Sequence, residues 1–204
     1  MIIAAFRHSS RIGHPMRNDW RDIPGWCSFE QLYRDVVDSQ KGPGVFVEVG
    51  CWKGQSTALL ASLIGGKPIV LYAVDHFQGS DEPCQKDDPD LPRLRELFRE
   101  NVPDWVRVKE KPSVEAAKDF EDASLDFVFL DAAHDYESVS ADIEAWLPKI
   151  KNRGVLAGDD LNFPGVARAV RERLPDHQAL NGGRQWKIDI SHNEMTDAQR
   201  ARGG

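Results

Sequence analysis

The sequence predicts a doubly wound α/β domain, and three observations carry that prediction. Short apolar strands alternate with amphipathic helices along most of the chain. These strands are apolar on both faces, as parallel strands are when helices cover both sides of a sheet. Two final extended runs flank Asn181-Gly182-Gly183, a sequence typical of a hairpin turn. Five strand–helix steps and one hairpin therefore predict a seven-stranded sheet that is mostly parallel and ends in an antiparallel hairpin.

Each element follows from apolar periodicity and from glycine or proline boundaries. The first helix is predicted over residues 28–39, where Ser28 and Gln31 have the spacing of a capping box. Further helices are predicted over 56–64, around 94–98, over 139–150 and over 166–174. Strands are predicted over 45–49, 69–74, 106–108, 125–130, 154–157, 177–180 and 185–190.

The length of 204 residues fits one domain. We divide the chain into an N-terminal arm and helix (1–43), the α/β domain (44–190) and a polar tail (191–204). The arm and the acidic loop over 76–90 are both candidates for lids over a site.

Composition and charge exclude several classes of protein. The 26 basic residues are interspersed among 33 acidic ones, for a net charge of −7, which argues against a nucleic-acid partner. No apolar run approaches the ~20 residues of a membrane span, and the N-terminus makes a poor secretory signal. Three widely spaced cysteines suit a reducing compartment. We expect a cytoplasmic protein that acts on a small molecule, with no nucleic-acid or membrane partner; a homo-oligomer stays open.

The predicted strand ends carry acidic residues, and ligands of open α/β sheets bind at the carboxyl ends of the strands. One such carboxylate could simply cap a helix, but four strand ends with carboxylates are harder to explain by capping alone. These residues are Glu48, Asp75, Asp131, Asp159 and Asp160.

The first strand–helix junction, VEVGCWKGQS, indicates the charge of the ligand. Gly50 permits a tight turn, and Gly54 would let the backbone approach a ligand at the start of the helix. A dinucleotide fingerprint has glycine where Glu48 stands, and its later spacing is one residue shorter. The Glu48 carboxylate would repel a pyrophosphate and favour a cationic ligand such as a sulfonium. Asp75, 21 residues after Gly54, can accept hydrogen bonds from both hydroxyls of a ribose.

Three segments together resemble class I S-adenosylmethionine-dependent methyltransferases. They are FVEVGCWKGQST, LYAVDHFQGS and LDFVFLDAAHDYESVSADIEAWLPKIKNRGVLAGDD, and the resemblance covers residues 44 to about 174. It is closest to the small-molecule branch that includes macrocin O-methyltransferase and catechol O-methyltransferase-like enzymes. The resemblance implies a Rossmann-like sheet, S-adenosyl-L-methionine as cofactor, and methyl transfer to a small-molecule acceptor, with oxygen as the expected acceptor atom.

The resemblance also implies roles for individual residues in cofactor binding. Trp52 would either shape the cofactor pocket or pack against the adjoining helix. Asp131 would lie beneath the transferable methyl group. The full set of implied cofactor contacts is Glu48, Gly50, Trp52, Gly54 and Ser56 near the methionine end and the turn, Asp75 at the ribose, His76, Phe77, Ser113 and Val114 around the adenine, and Asp131.

The resemblance further suggests a metal, with Asp131, Asp159 and Asp160 as its ligands. Three carboxylates suit Mg²⁺, which would lower the pKa of a substrate hydroxyl. Alternatively, Asp159 and Asp160 cap the next helix or contact the cofactor. His134 is a candidate general base, or else it hydrogen-bonds the loop or the cofactor. Cys51 has no partnered base, which argues against covalent catalysis.

Two other functions remain open from the sequence. A metal-dependent hydrolase or hydroxylase could use the same carboxylates, and a non-catalytic cofactor-binding protein could use the same turn. The position of Glu48 relative to Gly54 favours a methyltransferase over the hydrolase.

Overall fold

The computed structural model describes residues 19–80 and 83–191, without the side chains of residues 83 and 84. Within these residues, none of the helices combines the length and apolar character needed to cross a bilayer. The helices are α1 Glu30–Ser39, α2 Gln55–Ile64, α3 Pro83–Lys86, α4 Leu94–Asn101, α5 Ser113–Ala117, α6 Tyr136–Trp146 and α7 Pro164–Arg173. The strands are β1 Gly44–Val49, β2 Ile69–Asp75, β3 Arg107–Glu110, β4 Leu125–Leu130, β5 Ile150–Gly158, β6 Gln178–Leu180 and β7 Gln185–Asp189.

The seven strands form one sheet in the order β3-β2-β1-β4-β5-β7-β6. Strands β1 to β5 are parallel, whereas β7 runs antiparallel to β5 and pairs with β6 as a hairpin. The predicted fold class is confirmed. The strand order reverses between β1 and β4, and this switch point is where open α/β sheets bind their ligands.

Helices cover both faces of the sheet, and successive residues of one strand serve opposite layers. Phe127 and Phe129 of β4 pack with Phe29 and Tyr33 at the start of α1, and α2 and α4 complete this layer. Val128 and Leu130 of the same strand pack into the other layer, which α5, α6 and α7 complete. Both faces of the strands are therefore apolar because helices bury both sides of the sheet, as the sequence predicts.

Several element boundaries differ from the sequence prediction, and two of the differences have a clear physical cause. The N-cap of α1 is Phe29, without a side-chain cap, and the Ser28 hydroxyl instead accepts a hydrogen bond from Gln185 Nε2 at 2.9 Å. The predicted capping box is therefore wrong. Helix α6 ends at Trp146 because a 3-10 turn containing Pro148 follows, so Ile150 begins β5 instead of extending the helical stripe.

Candidate active site

One cavity of about 640 Å³ lies at the carboxyl ends of the parallel strands. This volume falls within the usual range for small-molecule sites. The predicted site residues among its lining are Gly50, Trp52, Ser56, Asp75, His76, Ser113, Val114, Asp131, His134, Asp159 and Asp160. Three others, Glu48, Gly54 and Phe77, are absent from the lining.

The Asp75 side chain holds the turn between β1 and α2 in place by hydrogen bonds. Its Oδ2 accepts hydrogen bonds from the backbone N–H groups of Cys51 at 2.8 Å and Trp52 at 3.0 Å. Gly50 has a φ of +84°, and a Cβ there would lie 2.1 Å from the carbonyl oxygen of Asp131. The turn consequently packs directly on the end of β4, with Asp75 at the cavity wall. The Asp75 carboxylate therefore holds the turn and lines the cavity, and its role at a ribose stays a prediction.

Two residues expected at the ligand lie in the protein core instead. A Cβ at Gly54 would come within 2.6 Å of Val102 Cγ2 and 3.1 Å of Phe98 Cδ2, so this glycine allows close packing of α2 against α4 rather than approach to a ligand. Phe77 is buried, and its ring lies 5.1 Å from that of Phe98. Neither Gly54 nor Phe77 lines the cavity, and their contact with the cofactor stays a prediction.

Glu48 lies beneath the turn and is completely buried. Its Oε1 accepts a hydrogen bond from the Tyr33 hydroxyl at 2.8 Å, while Oε2 has no partner among the described residues. Burial raises the pKa of the Glu48 carboxyl, although hydroxyls of Ser56, Thr57 and Tyr33 act in the opposite direction. Glu48 is therefore not among the residues that line the cavity, and its contact with the cofactor stays a prediction.

Residues 24–27 form one wall of the cavity, within the N-terminal arm that the sequence indicated as a candidate lid. Gln55 Nε2 donates to the Ile23 carbonyl at 2.8 Å, and its Oε1 accepts from the Cys27 N–H at 2.9 Å. This wall presents Trp26, whose side chain is 60% exposed and whose ring lies 6.1 Å from that of Trp52. Large exposed apolar groups at a cavity mouth are typical of ligand-binding surfaces.

Replacing Gln55 with alanine is expected to release this wall. Both hydrogen bonds are lost, so the amide of Cys27 should exchange with solvent at least about tenfold faster, as expected for about 1.4 kcal/mol of lost local stability. Hydrogen exchange followed by mass spectrometry measures the effect on the peptide that contains residues 23–28. Gln40→Ala, which removes bonds to Gly42 and Pro43 elsewhere, is the control and should leave that peptide unchanged.

The loop after β2 is joined to the glycine-rich turn by an ion pair. The Lys53 side chain is only 8% exposed, and its Nζ lies 2.8 Å from Asp88 Oδ2 and 2.8 Å from Asp90 Oδ2. Gly79, Ser80 and Gln85 of this loop line the cavity. The loop therefore forms part of the cavity wall, which is the position that the lid hypothesis requires.

Asp131, His134 and Asp160 converge on one point of the cavity. One potential ligand atom from each lies within 4.8 Å of those of the other two. His134 Nε2 lies 2.7 Å from Asp160 Oδ2, and the His134 ring stacks on Phe163 at 4.7 Å between centroids. Burial, followed by the charges of Asp159, Asp160 and Glu48, raises the pKa of Asp131 well above its usual range. A cation bound here would relieve the repulsion among these carboxylates.

Asp159 lies outside this converging set. Its Oδ1 accepts a hydrogen bond from Gln185 Nε2 at 2.8 Å, and its Oδ2 lies 3.5 Å from the Ser28 hydroxyl. It thus joins the end of β5 to β7 and to the cavity wall. The alternative that Asp159 and Asp160 cap the next helix is also wrong, because the N-cap of α7 is Phe163 and has no side-chain bond.

Asp142 of α6 is a cavity residue that the sequence analysis missed. Its carboxyl is bonded to the Ser113 hydroxyl, and burial raises its pKa to about 6. Ser113 begins α5 instead of lying in a turn, and Val114 beside it is 39% exposed. The available signal was helical spacing, because Asp142 falls three residues after Val139 and four before Trp146, on the buried face.

Comparison with known proteins agrees with this arrangement. The model of a protein family described as "methyltransferase domain" matches residues 47–161, which is more than half of the chain. An uncharacterized protein, y4gI, of Sinorhizobium fredii is 29% identical over 120 residues, a match that spans 58% of this chain but only 13% of that protein.

Three solved structures share the fold at low sequence identity. A protein from Corynebacterium glutamicum has a TM-score of 0.60 and 16% identity, covering 85% of this chain and 86% of its own. NovP, an O-methyltransferase, has a TM-score of 0.58 and 19% identity, and the match covers 86% of this chain and 87% of NovP. CalS11, a TDP-rhamnose 3'-O-methyltransferase, has a TM-score of 0.55 and 22% identity, and the match covers 79% of this chain and 76% of CalS11. With its switch-point cavity and the family match over residues 47–161, the chain belongs to the methyltransferase-domain family.

Proposed function

We propose that this protein transfers the methyl group of S-adenosyl-L-methionine to an oxygen atom of a small-molecule acceptor. The observation that carries the proposal is the convergence of Asp131, His134 and Asp160 in the same cavity as the glycine-rich turn. A site of this kind can hold a sulfonium near carboxylates and an acceptor hydroxyl near a base. CalS11 and NovP, which share the fold, are described as O-methyltransferases, and this supports oxygen as the acceptor atom.

The reaction would need mainly alignment, because the sulfonium already activates the methyl group. The acceptor oxygen attacks the methyl carbon as the bond to sulfur breaks, and the acceptor's proton passes to a base. We assign that base to His134, with Asp160 holding Nε2 at 2.7 Å and Phe163 holding the ring plane. Asp131 would face the positive charge of the sulfonium in the ground state. Trp26 and Phe163, both exposed at the cavity mouth, would contact the acceptor.

As an alternative to His134 acting as the base, the same three residues could hold a divalent metal, with His134 then serving as a ligand. Two carboxylates and one imidazole are ligands that Mn²⁺ accepts readily, and Mg²⁺ would add water oxygens. A bound ion would lower the pKa of the acceptor hydroxyl and orient its oxygen. Since Asp159 is held by Gln185, we assign the ligands as Asp131, His134 and Asp160 and leave Asp159 to the cavity wall. We further propose a cytoplasmic protein that needs no nucleic acid.

Calorimetry with S-adenosylmethionine and S-adenosylhomocysteine tests the proposed function. We expect saturable binding of both, in the micromolar range typical of enzyme ligands. Asp75→Ala should weaken both at least about tenfold, because the turn loses the carboxylate that accepts two of its N–H groups. Absence of binding at millimolar ligand would overturn the proposal. Tight metal binding with no cofactor binding would favour a metal-dependent hydrolase or hydroxylase instead.

The metal assignment gives a second prediction. Asp160→Asn should weaken Mn²⁺ binding by at least about tenfold, because one charged ligand of three is lost. Asp159→Asn, the adjacent and chemically identical change, should alter it by less than about threefold, because that carboxylate bonds Gln185 instead. Titration of Mn²⁺ by electron paramagnetic resonance measures both affinities in the presence of S-adenosylhomocysteine. If the two variants lose Mn²⁺ affinity equally, Asp159 is a metal ligand as well and the assignment is wrong.

A further inference from the structure

Arg184 is a cation of the cavity lining to which the proposed reaction assigns no task. Lysine and arginine contribute Lys53, Lys111 and Arg184 to this lining. Lys53 is paired with two loop carboxylates, and Lys111 Nζ lies 2.9 Å from Asp119 Oδ1. Within residues 19–80 and 83–191, the Arg184 side chain forms neither a hydrogen bond nor an ion pair. Its guanidinium, which carries five N–H donors, therefore remains for a ligand.

The backbone of Arg184 is fixed beside the group that we assign to the acceptor hydroxyl. Its carbonyl accepts a hydrogen bond from the N–H of Leu161 at 2.8 Å. The preceding residue, Asp160, places Oδ2 2.7 Å from His134 Nε2. Arg184 and His134 are thus joined through two adjacent residues, and both line the cavity. One small molecule with its hydroxyl at His134 therefore has Arg184 beside it.

Asp159 is the carboxylate closest in the fold to competing for Arg184, but its oxygens have other donors. Oδ1 accepts from Gln185 Nε2 at 2.8 Å, and Oδ2 lies 3.5 Å from the Ser28 hydroxyl. Burial raises the pKa of Asp159, and the Gln185 hydrogen bond and the charge of Arg184 act in the opposite direction. The guanidinium thus acts on Asp159 through its charge and keeps its N–H donors for an anionic group.

Two exposed aromatic side chains of the same cavity indicate the body of the ligand. Trp26 is 60% exposed and Phe163 is 40% exposed, and both belong to the lining. The Phe163 ring also stacks on that of His134, so a hydroxyl that reaches His134 lies next to an aromatic surface. Such surfaces bind flat, apolar groups. The cavity therefore offers a base, an aromatic surface and a guanidinium to one ligand.

We propose that the methyl acceptor is a hydroxyaryl carboxylic acid whose carboxylate is bound by Arg184. Its hydroxyl lies at His134, and its ring contacts Trp26 and Phe163. The inference rests on the proposed function, because it names the acceptor class of that reaction. A planar guanidinium binds a carboxylate through two parallel hydrogen bonds. The aspartates at the ends of β4 and β5 would repel a doubly charged phosphate more strongly than a singly charged carboxylate, which favours the carboxylate.

Calorimetry at pH 7 on the protein saturated with S-adenosylhomocysteine tests the inference. The probes are 4-hydroxybenzoate, 4-hydroxyphenylacetate and 3-(4-hydroxyphenyl)propionate, which differ in the distance from hydroxyl to carboxylate, and the primary amide of each acid. At least one acid should bind at least about tenfold more tightly than its amide, because the amide loses the charged hydrogen bonds to Arg184. 4-Hydroxyphenylphosphonate should bind less tightly than 4-hydroxybenzoate, and tighter binding would overturn the carboxylate assignment.

Two variants of equal net charge locate the effect. Arg184→Gln should reduce the ratio of acid to amide affinity to within about threefold and leave the affinity for S-adenosylhomocysteine unchanged, because the residue is assigned to the acceptor alone. Arg171→Gln removes the same charge from an exposed position on α7 that does not line the cavity, and it should keep the wild-type ratio.

The outcomes separate the inference from the function on which it rests. If no acid binds more tightly than its amide, or if the ratio is unchanged in Arg184→Gln, the role of Arg184 is overturned, while binding of S-adenosylhomocysteine leaves the methyltransferase proposal intact. Failure of S-adenosylhomocysteine to bind would overturn both. If Arg184→Gln does not fold, the wild-type comparison decides, because a ratio near one already contradicts an anionic acceptor.

Discussion

Gly50→Ala is expected to lower the free energy of unfolding by about 4 kcal/mol or more, and cofactor binding should be lost with it. The added Cβ would lie 2.1 Å from the carbonyl oxygen of Asp131, and its next neighbour is the Asp131 carbonyl carbon at 2.5 Å. These are backbone atoms, so no side-chain rotation can relieve the contact. The end of β4 would have to move away from β1, although the Asp131 N–H donates to the Val49 carbonyl at 2.8 Å and joins the two strands there.

Gly66→Ala is the matched control for this prediction. Gly66 also has a positive φ, +89°, but a Cβ there meets no atom within 4 Å. Its replacement should therefore cost only the backbone strain of a left-handed residue, about 1–2 kcal/mol. Urea denaturation of both variants measures the two losses. If the two variants lose similar stability, the close approach of Gly50 to β4 contributes nothing and the explanation is wrong.

The fold was predictable because its signal is local and repeated. Alternating apolar strands and amphipathic helices determine the number of strands, their direction and the edge at which a ligand binds. What the pattern does not contain is the face to which each strand residue points. Strand β1 is apolar on both sides, so Glu48 could face either layer, and it lies buried under α1, bonded to Tyr33, instead of in the cavity.

The site was predicted less completely than the fold because partners distant in sequence decide which carboxylates face the cavity. Asp159 and Asp160 are adjacent and equally plausible as ligands from sequence alone. Asp159 is turned away by Gln185, 26 residues later, whereas Asp160 has a φ of +59° and reaches His134. Asp142 was hidden for a related reason, because a single acid within an apolar helical stripe resembles an ordinary polar position until the Ser113 contact is known.

Asp142→Asn is expected to stabilise the fold at pH 8 and to leave it unchanged near pH 4. Burial, partly offset by the Ser113 hydroxyl and increased by the charge of Asp135, raises the pKa of Asp142 from 3.8 to about 6. A carboxyl whose folded pKa is raised holds its proton more tightly in the folded state, so stability is fully present below pH 3.8 and is lost as the pH rises through 6. The loss is about 3 kcal/mol at pH 8, at about 1.4 kcal/mol per pKa unit.

Asparagine removes this loss because it keeps the shape of the side chain and a carbonyl acceptor for Ser113, but carries no charge. The difference in unfolding free energy between Asp142→Asn and wild type should therefore grow from near zero at pH 4 to as much as about 3 kcal/mol at pH 8. Other titrating groups cancel in this difference because both proteins contain them. Urea denaturation of both proteins at several pH values measures this difference. A difference that stays constant from pH 4 to pH 8 would mean that Asp142 is not the buried, ionising group that the cavity geometry requires.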